Sequence, residues 1–283
     1  MPQTMKIVCI VQARTSSTRL PRKVLKALPY GGDVSVLGHV IRRLKKCHRL
    51  DDVIVATTTD KEDVEIVNIA EQEQVKWFRG SREDVLARYY WTAKEHDASV
   101  IVRITSDCPC IDPQIVDHVV DTHLRTHADY TSNTLTRMFP HGMDTAVLSF
   151  QTLEKAHREA GQAFEREHVC PYIYKSNPQA FKISSVEAPE SLRGPDIRIT
   201  LDTEEDYALL CAVFDYLYSE NEFFDAKDII ELFHHKPWLK TINKKVIHKK
   251  TFDSFNEEIE EAIRILDFQQ LHGAKKLLME HLK

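Results

Sequence analysis

Residues 7–23 read I-V-C-I-V-Q-A-R-T-S-S-T-R-L-P-R-K. The run Ile7–Val11 is apolar at every position, as in a strand buried on both faces of a parallel sheet. A polar loop follows, and then Leu37, Val40, Ile41 and Leu44 recur at the spacing of one helix face. The same alternation continues outward from this start. Val53–Thr57 predicts a strand, Val64, Val67 and Ala70 a helix, and Val75–Phe78 a short strand. Val85, Leu86, Tyr89, Tyr90 and Ala93 mark another helix, Val100–Ile104 another strand, and Ile115, Val116, Val119, Val120 and Leu124 the helix after it. Strand and helix in turn imply parallel β-α-β units with right-handed crossovers. The chain is expected to be α/β.

Beyond about residue 129 the pattern loosens. Tyr130–Thr131, Ala146–Phe150, Phe181–Val186 and Ile197–Leu201 predict short strands, some antiparallel, completing one mixed sheet as edge strands and a lid. Tyr207, Leu210, Cys211, Phe214 and Leu217 predict a helix. From Pro237 the composition turns Lys/His-rich, and a last helix is expected from Phe255 to Leu282. These shifts divide the chain into residues 1–245 and an appendage, 246–283. The first part falls into halves of about 1–128 and 129–245.

A hydrophobic fraction of 42% and a charged fraction of 29% exclude a disordered or low-complexity chain. No apolar run reaches the roughly 20 residues of a membrane span, and without a charged start followed by a long apolar stretch no signal peptide is expected. Six cysteines without paired C-x-x-C spacings read as reduced thiols, so a cytoplasmic protein is expected. The net charge of −5 does not favour a nucleic-acid partner. Yet residues 1–32 carry Lys6, Arg14, Arg19, Arg22, Lys23 and Lys26 and no acidic residue. Either an anionic ligand binds there or the cations form a solvated face, and charge alone leaves both open.

Ligands of open parallel sheets bind outside the carboxyl ends of the strands, which is where this loop lies. Arg14, Arg19, Arg22 and Lys23, with hydroxyls from Thr15 to Thr18, suit phosphate oxygens. Neither a Walker A nor a Rossmann glycine pattern is present. Asp107 follows strand Val100–Ile104, where a carboxylate can hold Mg²⁺ or merely cap a turn. Asp112 before Pro113 reads as a helix N-cap. Asp202 reads either as an N-cap or as a ligand, and Asp206 as a first-turn helix charge. Arg103, inside an apolar strand, must find a carboxylate or a ligand. Cys108-x-Cys110 lacks a matching Cys/His pair and is not read as a metal site, and His234-His235 is taken as structural or surface.

The motif A-R-x-x-S-x-R-x-P-x-K (13–23) resembles the signature loop of the CMP-sugar synthetases, which include the acylneuraminate and 3-deoxy-manno-octulosonate cytidylyltransferases. The spore-coat polysaccharide biosynthesis protein F subgroup is the closer resemblance. F-R-G-S-R-E-D-V-L-A-R-Y-Y (78–90), V-R-I-T-S-D-C-P-C-I-D-P (102–113), Y-T-S-N-T (130–134), R-E-H-V-C-P-Y-I (166–173) and L-D-T-E-E-D (201–206) also match it in order and spacing.

The resemblance implies a Rossmann-like nucleotidyltransferase (GT-A-like) three-layer fold that transfers CMP from CTP to an acidic or amino sugar, for surface polysaccharide. It implies Mg²⁺ on Asp107 and Asp202, and a catalytic set of Arg14, Lys23 and Asp107. Nucleotide contacts fall to Arg14, Ser17, Arg19, Lys23, Arg79 and Gly80, and to Asp84 unless that residue only caps its helix. Sugar contacts fall to Arg103, Asn133, His141, Asp144, Arg166 and His168. Two rival readings are a nucleotide-sugar-dependent glycosyltransferase and a non-catalytic nucleotide-binding subunit. The cationic loop argues against the first, and intact Lys23, Asp107 and Asp202 against the second. A broad apolar stripe on the last helix (Ile259, Ile263, Leu266, Leu277, Leu278 and Leu282) points to packing on its own domain or on a dimer partner rather than to a membrane, and a homodimer is expected.

Overall fold

The computed structural model describes residues 5–246 and 255–281. The chain divides into two units, Met1–Lys245 and Val246–Lys283.

In the first unit, β1 (Ile7–Gln12), α1 (Val36–Leu44), β2 (Asp52–Thr58), α2 (Val64–Gln72) and β3 (Lys76–Gly80) build one side of the sheet. Next come α3 (Val85–Glu95), β4 (Val100–Thr105) and α4 (Pro113–Thr126). The sheet is completed by β5 (Tyr130–Ser132), β6 (Ala146–Ser149) and β7 (Ile183–Ser185). Its order is β3-β2-β1-β4-β6-β5-β7, parallel except for β6, which runs antiparallel to β4 and β5. Helices α5 (Phe150–Glu159) and α6 (Ala163–His168) lie between β6 and β7, and α7 (Glu204–Leu217) and α8 (Ala226–His235) follow β7.

Alternate strand residues feed two apolar layers, as the period of two requires. Cys9, Val11, Val55, Val102 and Ile104 pack under α1, α4, α7 and α8. Val8, Ile10, Ile54, Ala56 and Ile101 pack under α3, α5 and the turn at 169–173. The result is three layers. Local chemistry agrees with the helix starts. Asp112 caps α4 ahead of Pro113, and Thr203 with Asp206 forms a capping box on α7.

Two expectations are corrected. Ile197–Leu201 is no strand of the sheet: one bridge, His141 to Arg198, is its whole β-pairing. Side-chain pairing and Gly142, described below, hold it instead. The second unit is two helices rather than one, α9 (Phe255–Phe268) and α10 (His272–His281). The break falls at Gln270, whose φ of 56° ends α9 in a left-handed turn three residues before the glycine at 273. Leu282 lies outside the described residues. All six cysteines are free. No helix among the described residues is long and apolar enough to cross a membrane.

Candidate active site

Strand order reverses between β1 and β4, since β2 and β3 lie on one side and later strands on the other. That switch point opens a crevice at the carboxyl ends of the strands. The loop after β1 and the loop after β4 flank it, and they supply Lys23 and Asp107.

Lys23 stands at the centre. Its Nζ donates to Asp107 Oδ2 at 2.7 Å, to Asp202 Oδ1 at 2.9 Å and to the Leu201 carbonyl at 2.7 Å. Arg19 Nη2 reaches the same Asp202 Oδ1 at 2.8 Å. Burial alone would raise both carboxyls, but the Lys23 ammonium reverses that and holds Asp107 and Asp202 below the usual range. For Lys23, burial works against the charge and the two carboxylates overcome it, so its pKa rises. All three groups are ionised at neutral pH.

The loop that carries these cations is tied down by a residue the sequence reading missed. Asp63 accepts from the Thr15 N–H at 2.8 Å, the Thr15 hydroxyl at 2.7 Å and the Thr58 hydroxyl. Ser17 and Arg22 both donate backbone N–H to the Thr15 carbonyl, closing the loop. No local signal marks Asp63, because Lys61-Glu62-Asp63 reads as an ordinary acidic helix start. Arg22 turns outward to a bidentate pair with Glu65 at 2.6 and 2.7 Å. Arg14 is exposed and has no ion pair among the described residues.

The remaining expected residues divide between site and scaffold. Arg79 donates to the Thr58 and Asp60 carbonyls at 2.8 and 2.7 Å, bracing the end of β2. A Cβ on Gly80 would meet Phe78 Cε1 at 3.0 Å and Arg88 Cγ at 3.2 Å, so packing already accounts for that glycine. Asp84 caps α3 through Ala87 N–H and also receives Arg166 through two bonds at 3.1 and 2.6 Å. Asp84 and Arg166, expected on different substrates, are thus partners that join α3 to α6. Asn133 is buried with its amide engaged by Met143 and Thr145, which fixes the ends of loop 133–145. Asp144 takes a bidentate pair from Arg137 at 2.7 and 2.9 Å. His168 lies exposed at the end of α6.

Arg103 finds no carboxylate. Its Nη2 donates to Gln12 Oε1 at 3.3 Å, while its Nε is buried without a hydrogen-bond partner. Of the two partners expected for it, the carboxylate is absent among the described residues.

His141 reaches the centre indirectly. Its Nδ1 lies 3.0 Å from Arg198 Nη1, and Arg198 Nη2 donates to Asp202 Oδ2 at 2.8 Å. Gly142 makes this possible: φ is +123° and a Cβ would sit 2.8 Å from the Ile199 carbonyl oxygen. Arg198 was legible in principle, as an arginine within an apolar run four residues before Asp202.

Two carboxylates around one ammonium form a hard-oxygen pair that fits Mg²⁺, which takes one or two carboxylates together with substrate phosphates. Among the described residues no group of three or more His, Cys, Asp and Glu could serve as a closed metal cage.

Fold and site together define an α/β nucleotidyltransferase. The profile of the family described as "Cytidylyltransferase" matches residues 8–261, and the chain belongs to that family. It is 42% identical over 249 residues to an uncharacterised protein of Methanocaldococcus jannaschii, covering 87% of this chain and 97% of that one. Bacillus subtilis spore coat polysaccharide biosynthesis protein SpsF is 33% identical over 233 residues, 82% of this chain and 95% of SpsF. The structure of a cytidylyltransferase from Leptospira borgpetersenii superposes with a TM-score of 0.79 at 34% identity, covering 86% of this chain and 99% of that one.

Proposed function

We propose that this chain transfers CMP from CTP to an acidic or amino sugar and releases pyrophosphate, in surface polysaccharide or glycan biosynthesis. The observation that carries the reading is Lys23 bridging Asp107 and Asp202 at the sheet's switch point. Arg14, Arg19 and Lys23 stand where a triphosphate enters, and Ser17 lies in the same loop. They would stabilise charge developing on the leaving pyrophosphate. Asp107 and Asp202 would hold Mg²⁺, which when bound supplies charge neutralisation at the phosphates. The protein's own contribution is to place the sugar nucleophile in line with the phosphorus and to exclude water.

The second half would receive the sugar. Arg103 brings an uncompensated positive charge to β4, and loop 133–145 brings His141 and Asp144. The spore-coat relative supports the polysaccharide context. We further propose that the chain works as a homodimer in the cytoplasm, and that residues 246–283 carry no chemistry. Screening nucleoside triphosphates for pyrophosphate release against a panel of acidic, amino and neutral sugars tests the reaction. Release with CTP and one acidic or amino sugar is expected. Release with another base, or with no sugar of these classes, overturns it.

A further inference from the structure

Asp202 is held by three cations, and they are not equivalent. Lys23 and Arg19 share Oδ1 at 2.9 and 2.8 Å, whereas Arg198 alone takes Oδ2 at 2.8 Å. The first two belong to the phosphate-facing loop, and the Arg19 side chain is 31% exposed. Arg198 is 8% exposed and its backbone is fixed against His141: His141 N–H donates to Ile197 and Ile199 N–H to His141, both at 2.8 Å. Its Nε and Nη2 also fork onto Asp206 Oδ1 and Oδ2, each at 2.9 Å.

Asp206 has a fully buried side chain and touches more than the guanidinium. Its Oδ2 accepts the backbone N–H of Asp202 at 3.0 Å and of Thr203 at 3.2 Å, and its Oδ1 accepts from Asn243 Nδ2 at 2.9 Å. It therefore fixes the main chain of Asp202 while Arg198 fixes its side chain.

We propose that Arg198 and Asp206 are a positioning pair that reserves Oδ2 of Asp202 and turns Oδ1, which Lys23 and Arg19 hold in this structure, toward the site where a divalent cation would replace part of that pairing. The proposal rests on the nucleotidyltransferase reading above. Charge explains why two residues are needed. A lone guanidinium 2.8 Å from a metal ligand would repel the cation it helps to place. Asp206 pairs with Arg198 at 2.9 Å, so Asp202 is oriented without a further net positive charge being added beside it. The hydrogen bond from Arg198 to His141 extends this control to loop 133–145. The acceptor side and the cation side thus share one guanidinium.

Hydrogen-bonded partners of ligating carboxylates typically change metal affinity about 10–100-fold when removed. The test is Mn²⁺ titration of the full chain, by electron paramagnetic resonance, without nucleotide and with CTP. Arg198→Lys and Asp206→Asn should each weaken Mn²⁺ binding by about tenfold or more, while metal-free CTP binding is not weakened. Asp107→Asn and Asp202→Asn serve as references. If those two leave Mn²⁺ affinity unchanged, the metal reading itself falls. If they abolish binding while Arg198→Lys and Asp206→Asn bind as the parent does, the positioning pair is overturned and the metal reading stands. Should Arg198→Lys fail to fold, Asp206→Asn decides: its amide oxygen can still accept from Asp202 and Thr203, while its amide nitrogen removes the acceptor that Arg198 Nε and Asn243 share.

Discussion

The Leu201 N–H donates to the Asp107 carbonyl oxygen at 2.8 Å. This bond joins segments 94 positions apart in sequence and sets the Asp107 and Asp202 carboxylates on either side of one ammonium. The site's spacing is thus fixed by main chain, and side-chain changes can be tested without expecting it to collapse.

Lys23→Ala is expected to weaken CTP binding and to leave two neighbouring carboxylates without their shared counter-charge. Loss of such a partly buried partner should cost on the order of 1–3 kcal/mol of stability. Mg²⁺ should restore part of that loss, because a cation stabilises whatever native state it binds. Thermal unfolding with and without Mg²⁺, and calorimetry with CTP, check both halves. Arg14→Ala should weaken CTP binding without any stability change.

Asp107→Asn should nearly abolish turnover while nucleotide affinity and fold persist. A turn cap would tolerate asparagine, since both residues serve there. Near-normal rates at saturating Mg²⁺ would remove Asp107 from the metal.

Acid should destabilise the fold through His39. Burial pushes its pKa down to about 4, and its Nε2 lies 2.7 Å from the Leu28 carbonyl. His123 is likewise pushed by burial to about 4. The unfolded state binds the proton first, so this stability is complete above about pH 6.5 and is lost as pH falls toward 4. By linkage His39 alone should cost about 2 kcal/mol at pH 5. Urea unfolding at pH 7 and pH 5 measures the sum of both histidines, and His39→Gln should remove about half of the difference.

Gly142→Ala should cost roughly 1–3 kcal/mol, since it forces a side chain into a left-handed backbone position against the Ile199 carbonyl. The acceptor KM should rise more than the CTP KM, because the displaced loop lies in the second half. Equal effects on both substrates would contradict that assignment.

Truncation after Lys245 should leave cytidylyltransferase activity, since every candidate site residue and, among the described residues, all the buried core precede that point. Phe255, Phe268 and Leu277 are exposed in the second unit, so its removal should also lower the mass seen by light scattering. Loss of activity in a folded truncation product would bring the tail into the site.

Much of this architecture is written locally. The buried strands at 7–12, 52–58 and 100–105 announce themselves as apolar runs, and Asp112-Pro113 marks a helix start by capping chemistry alone. Segment 197–201 misleads because the same apolar alternation serves a chain held by one bridge, a main-chain bond from Leu201 to Asp107, a glycine contact and an arginine fork. The cationic loop and Asp107 are legible from position after a strand. The pairings Asp84–Arg166, Thr15–Asp63 and Arg198–Asp206 are not, because two of them join elements more than 40 positions apart and the third lies where a strand was expected.

The antiparallel ladder from Val100–Ser149 to Arg103–Ala146 has a consequence of a different kind. Four register pairs join the sheet's first four strands to the three that follow. Such a joint is a natural seam for recombination. A segment bringing one antiparallel strand of similar length could replace the far side and bring a new pocket with it, provided that it restores the contacts residues 201–207 make to the loop after β1. The incoming segment must return an aspartate beside Asp107, as residues 197–206 do here, and helices to cover Cys9, Val11 and Val102 as α7 and α8 do. Inheritance of new specificity across that seam is therefore constrained by the centre and the core face that the incoming segment must rebuild.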